Sequence, residues 1–190
     1  ASPHNVRYND INLGHRAPWL SGLAFELGLD SHFVVTDPDV VPCEECPPDV
    51  FEHFERALNT YTDIDKVGFS LRIDDIPQHY AHSQEVVKWE SQWWLDERYP
   101  GFFFSPIDTT FAMYRPGEGH LNHRSLRCAP PYVARHMPWY ENSSLPNEEL
   151  EYYLAHADSL IINWDAKVLP ANLRAQINNM RSRYSRAQSR

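Results

Sequence analysis

Apolar positions along the chain fall alternately into helical and strand periods. "APWLSGLAFELG" (17–28) spaces Trp19, Leu20, Leu23 and Leu27 at helical intervals, with Pro18 near the start and Gly28 as a stop, which predicts a helix. A run of strand formers at 32–36 comes next. "PPDVFEHFERALNTY" (47–61) sets Val50, Phe51, Phe54, Ala57, Leu58 and Tyr61 on one helix face, with prolines and Asp49 at its head. "KVGFSLRI" (66–73) alternates Val67, Phe69, Leu71 and Ile73 against Gly68, Ser70 and Arg72, a strand pattern. Ser83 is placed to cap a helix reaching about Leu95. "TTFAMYR" (109–115) and "LRCA" (126–129) read as further strands. "NEELEYYLAHADSLI" (147–161) is amphipathic through Leu150, Tyr153, Leu154, Ala157 and Leu160. Interleaved helices and strands predict an α/β protein. No internal repeat or low-complexity block interrupts them.

Composition narrows the class. With 190 residues, 42% hydrophobic and 13% aromatic, the chain has apolar material for one domain with a sizeable core. The net charge of −9 is unevenly placed. Residues 171–190 hold five arginines (174, 181, 183, 186 and 190) and no acid, so the remainder carries −9 − 5 = −14. An acidic body argues against nucleic acid as a partner. The basic tail, 170–190, reads as a solvated terminal helix after a body of 1–169, or as a weak contact for an anionic membrane. No signal-peptide pattern opens the sequence, and no apolar run nears the ~20 residues that span a bilayer. The expected location is the cytoplasm, with peripheral membrane contact through the tail. Three cysteines make a disulfide framework an unsuitable reading, and Cys43-x-x-Cys46 has only Cys128 left to add to a zinc site. Asn142-Ser143-Ser144 is a glycosylation sequon that counts only in a secreted chain.

Candidate chemistry concentrates at "FVVTDPDVVP" (33–42), where an apolar strand runs into Asp37, Pro38 and Asp39. Ligands of open α/β sheets collect at the carboxyl ends of strands. A proline-stiffened turn there can aim both carboxylates at one cation, and oxygen ligands suit Mg²⁺ or Mn²⁺ shared with phosphates. The structural alternative is a strand-ending turn in which Asp caps backbone amides.

The wider pattern resembles the GT-A glycosyltransferases, especially small bacterial-type family 2 members. It is carried by "NLGHRAPW" (12–19), "VVTDPDVVP", "VGFSLRIDDIP" (67–77), "WESQWW" (89–94), "SPIDTTFAMYR" (105–115) and "APPYVARHMPWY" (129–140), and covers about 9–164. The resemblance implies a Rossmann-like mixed sheet flanked by helices in a single domain. It implies transfer of a sugar from a nucleotide-sugar donor to a glycan or lipid-linked acceptor. Asp37 and Asp39 would hold a divalent metal and the donor diphosphate; Asn12, Gly14 and Arg16 would lie near the nucleotide; His136 would lie near the phosphates as a metal ligand. Such folds usually begin with a strand, a helix and a second strand, so "ASPHNVRYND" corresponds to a later stretch and the domain is expected to be N-terminally incomplete.

The chemistry can also be argued from the residues. Breaking a sugar–phosphate bond builds negative charge on the diphosphate, which a cation held by Asp37 and Asp39 would offset. An inverting enzyme passes the acceptor proton to a carboxylate. The candidates are Asp108, which opens a strand, Glu90 among Trp89, Trp93 and Trp94, and Asp75 in the acidic pair after "GFSLRI". Each has a bland counterpart: a cap for Asp108, a wet helix face for Glu90, a solvated turn for Asp74 and Asp75. The aromatics Trp89, Trp93, Trp94, Phe102, Phe103, Phe104, Trp139 and Tyr140 suit a sugar-stacking groove or a core. Two other classes stay open. "FVVTDPDVV" with "SLRIDD" also fits an aspartyl (HAD-like) phosphatase, in which Asp37 is a nucleophile and Asp39 an acid/base, needing a loop lysine from Lys66, Lys88 or Lys167. A non-catalytic sugar-binding domain is the third reading.

Overall fold

A computed structural model describes residues 4–108, 110–120, 124–145, 147–156, 164 and 168–187, with backbone alone at Leu154 and 181–187. Among the described residues seven strands form one mixed sheet: β1 (Phe33–Val35), β2 (Val40–Pro42), β3 (Lys66–Leu71), β4 (Glu97–Tyr99), β5 (Phe102–Phe104), β6 (Ala112–Tyr114) and β7 (Ser125–His136). Their order is β1-β6-β3-β7-β5-β4, with β2 on β7. β6 is antiparallel to both β1 and β3, and β3 is parallel to β7. Hence β1, β3 and β7 point the same way, and the segments leaving their carboxyl ends emerge at one edge. The helices are α1 (Ala17–Leu20), α2 (Leu23–Leu27), α3 (Val50–Thr60), α4 (Ser83–Glu90), α5 (Glu148–His156) and α6 (Ala171–Ala187). The result is a single α/β domain, and no helix among the described residues is long and apolar enough to cross a membrane.

The alternation in 66–71 holds, but neither face is wet. Val67, Phe69 and Leu71 join Phe54, Ala57 and Leu58 of α3 in the main core, and Lys66, Gly68 and Ser70 on the opposite face are buried as well. A central strand covered on both sides puts each residue under packing constraint. Gly68 is where β6 comes closest: an added Cβ would run into the Phe111 carbonyl and Ala112. Gly68→Ala is therefore expected to cost roughly 1–3 kcal/mol, as overpacking does. A chemical melt reads this directly; an unchanged midpoint would refute the close approach.

Several predicted elements are reshaped for local reasons. The helix expected over 17–28 breaks in two because Gly22 takes the left-handed conformation (φ 80°) between α1 and α2. Only Trp19 and Ala24 of those helices are buried, while Leu20 and Leu27 are exposed. α3 begins at Val50 rather than 47, and Asp49 bonds Arg56 and Tyr132 instead of capping it. Ser83 is the first residue of α4 and not its cap. That helix ends at Glu90 and continues as a 3-10 turn, Ser91–Trp94, with the Ser91 hydroxyl donating to the Val87 carbonyl. β7 runs well past 129, its pairing with β3 shifting between Phe69 and Ser70 so that Pro130 and Pro131 drop out of the ladder. The β4–β5 hairpin, turning at Gly101 (φ 80°), has no counterpart among the predicted elements. α5 agrees with the predicted helix over 148–156; the predicted part at 157–161 lies outside the described residues.

The basic tail is helical and its first half is anchored. Leu173 and Ile177 are buried with Leu169 against Trp89 and Trp164. The tail is helical over Ala171–Ala187 as expected, but its first half packs on the body rather than being solvated throughout. Ending the chain after Pro170 should expose this cluster, at about 1.5–3 kcal/mol per buried side chain, and lower the melting temperature. Ending it after Met180 removes four of the five arginines but keeps Leu173 and Ile177, so it should melt closer to the full chain than the Pro170 truncation does. Equal melting of both truncations would contradict the packing.

Candidate active site

The Asp-Pro-Asp segment is a turn leaving β1. Val40 N–H donates to the Asp37 carbonyl at 3.4 Å, which places Pro38 and Asp39 at the turn's two central positions. β2 then pairs with the end of β7, Val40 opposite His136, and Met137 N–H donates to the Asp39 carbonyl at 2.8 Å. This pairing brings Asp39 to His136: Oδ2 lies 3.4 Å from Nε2. The other atoms of the pair are telling. Asp39 Oδ1 and His136 Nδ1 are both buried with no hydrogen-bond partner among the described residues. Burial pushes the Asp39 carboxyl up, but His136 outweighs it and holds the group below its usual range. The His136 ring rests on Trp139, centroids 4.8 Å apart.

Asp37 and Asp108 both act on Tyr114, whose hydroxyl is pushed upward chiefly by burial and then by these two carboxylates. The two acids therefore approach a common residue on β6. Asp108 is exposed, yet the backbone leading to it is fixed at nearly every step. Ser105 N–H donates to the Ser125 carbonyl, and Ser125 Oγ donates to the Ser105 carbonyl and accepts from Ile107 N–H. Arg127 Nε donates to the Pro106 carbonyl at 2.9 Å and Lys66 Nζ to the Ile107 carbonyl at 2.6 Å. The Tyr114 hydroxyl reaches the Asp108 carbonyl at 3.4 Å.

The other two candidate bases are committed elsewhere. Glu90 is buried and bonded to Arg127 at 2.9 Å. Burial raises its carboxyl, with Arg127 and the nearby His136 opposing. Glu90 is not the wet face of a helix; it belongs to an enclosed ion pair, with Arg127 over Trp93 at 5.6 Å. Asp75 receives the Tyr140 hydroxyl at 2.5 Å and Arg135 at 2.7 and 2.9 Å, with Arg72 at 3.2 Å. Burial raises its carboxyl, but these donors leave it below the usual range. Arg135 and His136 are successive residues of an extended strand and point to opposite faces. Asp75 thus sits across the sheet edge from the Asp39–His136 pair. Asp74 is an exposed partner of Arg72 at 2.9 Å.

Asn12 and Gly14 form a local turn, with Gly14 N–H donating to Asn12 Oδ1 at 2.8 Å and Gly14 at φ 61°. The adjoining 3-10 turn, Gly14–Arg16, exposes Arg16. His120 feels Arg16, Lys66, Asp108 and His15, and burial is the first cause of its lowered pKa. Arg16 is thereby on the Asp108 side of the molecule. Trp139 and Phe102 are core, and Trp89, Trp93 and Trp94 pack on Ile177's cluster, Arg127 and Phe103 in turn.

Lys66, Arg127 and Tyr114 surround the Asp108 segment toward the amino ends of β3 and β7, while the Asp39–His136 pair lies at the carboxyl end of β7; of the three, only Lys66 stood out in the sequence, as a phosphatase lysine. The signal for Lys66 and Arg127 was available: a single charged residue in each of the otherwise uncharged strand runs "KVGFSL" and "LRCA". Cys43, Cys46 and Cys128 are free thiols. Among the described residues no three His, Cys, Asp or Glu side chains gather closely enough to hold a metal by themselves. The donors fit a metal that is only partly protein-bound. Mg²⁺ is commonly held by one or two carboxylates with phosphate oxygens completing its shell, and the orphaned Asp39 Oδ1 is a free carboxylate lobe of that kind. Comparison with known proteins finds no matching family model, curated protein or solved structure.

Proposed function

We propose that this chain is a metal-dependent, inverting glycosyltransferase domain of GT-A type, moving a sugar from a nucleotide-sugar donor to a glycan or lipid-linked acceptor. The observation that carries the reading is Asp39 Oδ1, buried beside His136 with no hydrogen-bond partner among the described residues, at the sheet edge where β1, β3 and β7 all end. A buried carboxylate oxygen with no donor is costly unless a ligand completes it. Asp39 and His136 would hold Mn²⁺ or Mg²⁺ with donor phosphate oxygens completing the shell, and Asp37, two residues away on the same turn, would add negative charge; the ion would supply Lewis-acid stabilisation of the leaving diphosphate when bound. Arg16, exposed on the Asp108 side, is placed to meet donor phosphate charge.

Asp108 is the best-supported base. Its carboxylate is exposed while its backbone is fixed, so it can meet an acceptor hydroxyl with little reorganisation. Glu90 is sealed by Arg127, and Asp75 is saturated by Tyr140, Arg135 and Arg72. The phosphatase alternative needs a lysine in a loop. Lys66 lies in β3 and Lys88 in α4, and Lys167 lies outside the described residues. The test is release of nucleoside diphosphate from UDP-glucose, UDP-galactose and GDP-mannose with Mn²⁺ and an oligosaccharide acceptor. Release that needs metal and stops in EDTA supports the proposal; formation of an acyl phosphate on Asp37 from a phosphate monoester overturns it.

A further inference from the structure

Lys66 is fully buried at the head of β3, between β6 and β7. A buried ammonium demands strong partners. This one donates to two backbone carbonyls far apart in sequence: Ile107 at 2.6 Å and His120 at 2.8 Å. Ile107 directly precedes Asp108. His120 lies in the stretch that leaves β6, and its ring packs on Trp19 at 5.2 Å. One side chain therefore ties together the two chain segments that frame Asp108. Lys66 Nζ also lies 5.2 Å from the centre of the Tyr114 ring, whose hydroxyl reaches the Asp108 carbonyl. A purely apolar residue here would fill the same space and leave both carbonyls without this donor. An arginine would keep the charge in a larger, planar fork.

We infer that Lys66 is a positioning residue for Asp108: its ammonium clamps the 105–108 segment to the 115–120 segment and faces the Asp108 carboxylate with positive charge. The role of Asp108 as the base rests on the transferase reading; the clamp does not. Desolvation lowers the Lys66 pKa to about 8, with Asp108 and Asp65 raising it and Arg127 lowering it. The neutral Tyr114 ring and the His120 carbonyl are its other close neighbours. Lys66 keeps its charge below about pH 8 and loses it as pH rises through that value, so transfer should decline on the alkaline side there. Because the folded value lies below the ordinary 10.5, the unfolded chain holds more protons between the two, and global stability should not fall in that window. A rate that falls while stability holds distinguishes the clamp from unfolding.

The experiment compares wild type, Lys66→Met and Lys66→Arg by hydrogen–deuterium exchange at 105–108 and 115–120, with α3 as internal control. Donor turnover is measured from about pH 6 to 10, a range that brackets the Lys66 titration, with Mg²⁺ and the same three nucleotide sugars. Lys66→Met should speed exchange in both segments together and leave α3 unchanged. It should cut turnover about 10- to 100-fold with little change in the KM for donor, as a misplaced catalytic group does. Lys66→Arg, which stays protonated, should restore part of the rate and move the alkaline decline above about pH 8. Unchanged exchange in either segment overturns the clamp whatever the activity. Faster exchange with wild-type turnover, or an alkaline limb identical in Lys66→Arg, overturns the positioning role. If wild type turns over no nucleotide sugar, the transferase reading fails and the positioning role with it, while exchange still decides the clamp.

Discussion

Replacing Asp108 with Asn should leave metal and donor binding intact and reduce sugar transfer by ~10²–10⁴, the usual loss for a positioned base. The expectation rests on the contrast among three carboxylates. Asp108 presents an exposed side chain on backbone held by Ser125, Arg127, Lys66 and Tyr114. Asn keeps the shape of the side chain and does not disturb those bonds, because each of them is made to the backbone of residues 105–108. Fold and donor affinity should therefore be wild type. Steady-state transfer with the donor saturated isolates the effect. If Asp108→Asn transfers at the wild-type rate while Asp75→Asn does not, the base is Asp75, and the ion-paired network around it must open during turnover. Glu90→Gln tests the third candidate, and a loss there has a different meaning. It would weaken the Arg127 pair at 2.9 Å, and Arg127 in turn holds the Pro106 carbonyl. The expected signature is a lower melting temperature accompanying any lower rate.

Asp39→Ala should abolish metal-dependent donor binding and leave the protein as stable as before. Asp39 is not a structural keystone. One of its oxygens faces His136 at 3.4 Å with the pair partly exposed, and the other is buried with no partner among the described residues. A partly exposed carboxylate–imidazole contact of this kind contributes about 0–1 kcal/mol, and removing an unsatisfied buried oxygen is favourable. The two effects offset. Function should suffer far more: altering residues that merely orient metal ligands costs roughly 10–100-fold, so deleting a ligand should exceed ~100-fold in donor affinity. Calorimetric titration with UDP-glucose or GDP-mannose in Mn²⁺, beside a thermal melt, reads both quantities. Donor binding retained in EDTA with Asp37 and Asp39 both replaced would eliminate the metal role. The pattern of full stability with lost binding is what separates a ligand site from a strand-ending cap.

Legibility from the residues in order depended on range. The strand into Asp37, the Pro38 turn and the strand alternation of 66–71 are local, and each was legible from neighbours within a few positions. The break at Gly22 was not, since leucines at helical spacing ran across it and the left-handed glycine overrode them. Nor was the β4–β5 hairpin, whose three-residue strands are too short to show a period. At the site, the proximity of Asp39 and His136 depends on β2 pairing with the end of β7, a long-range register that no local pattern encodes. Lys66 shows the same limit most clearly. On a strand with one wet face, a lysine at an alternate position is ordinary. Only the insertion of β6 between β1 and β3, with β7 on the other side, buries it and turns its ammonium toward two carbonyls. The tail misled in the opposite direction: its arginines suggested a solvated segment, while Leu173 and Ile177, spaced one helical turn apart, anchor its first half.

Electron paramagnetic resonance of Mn²⁺ titrated with the protein in the presence of UDP or GDP reads the metal site directly. The free-ion signal should fall as a protein–Mn²⁺–nucleotide complex forms. That loss of signal should disappear in Asp39→Ala and weaken in His136→Ala, with Asp108→Asn behaving as wild type. A free Mn²⁺ signal that never falls, or one that falls equally in the Asp37→Ala, Asp39→Ala double variant, would contradict a metal site at this turn.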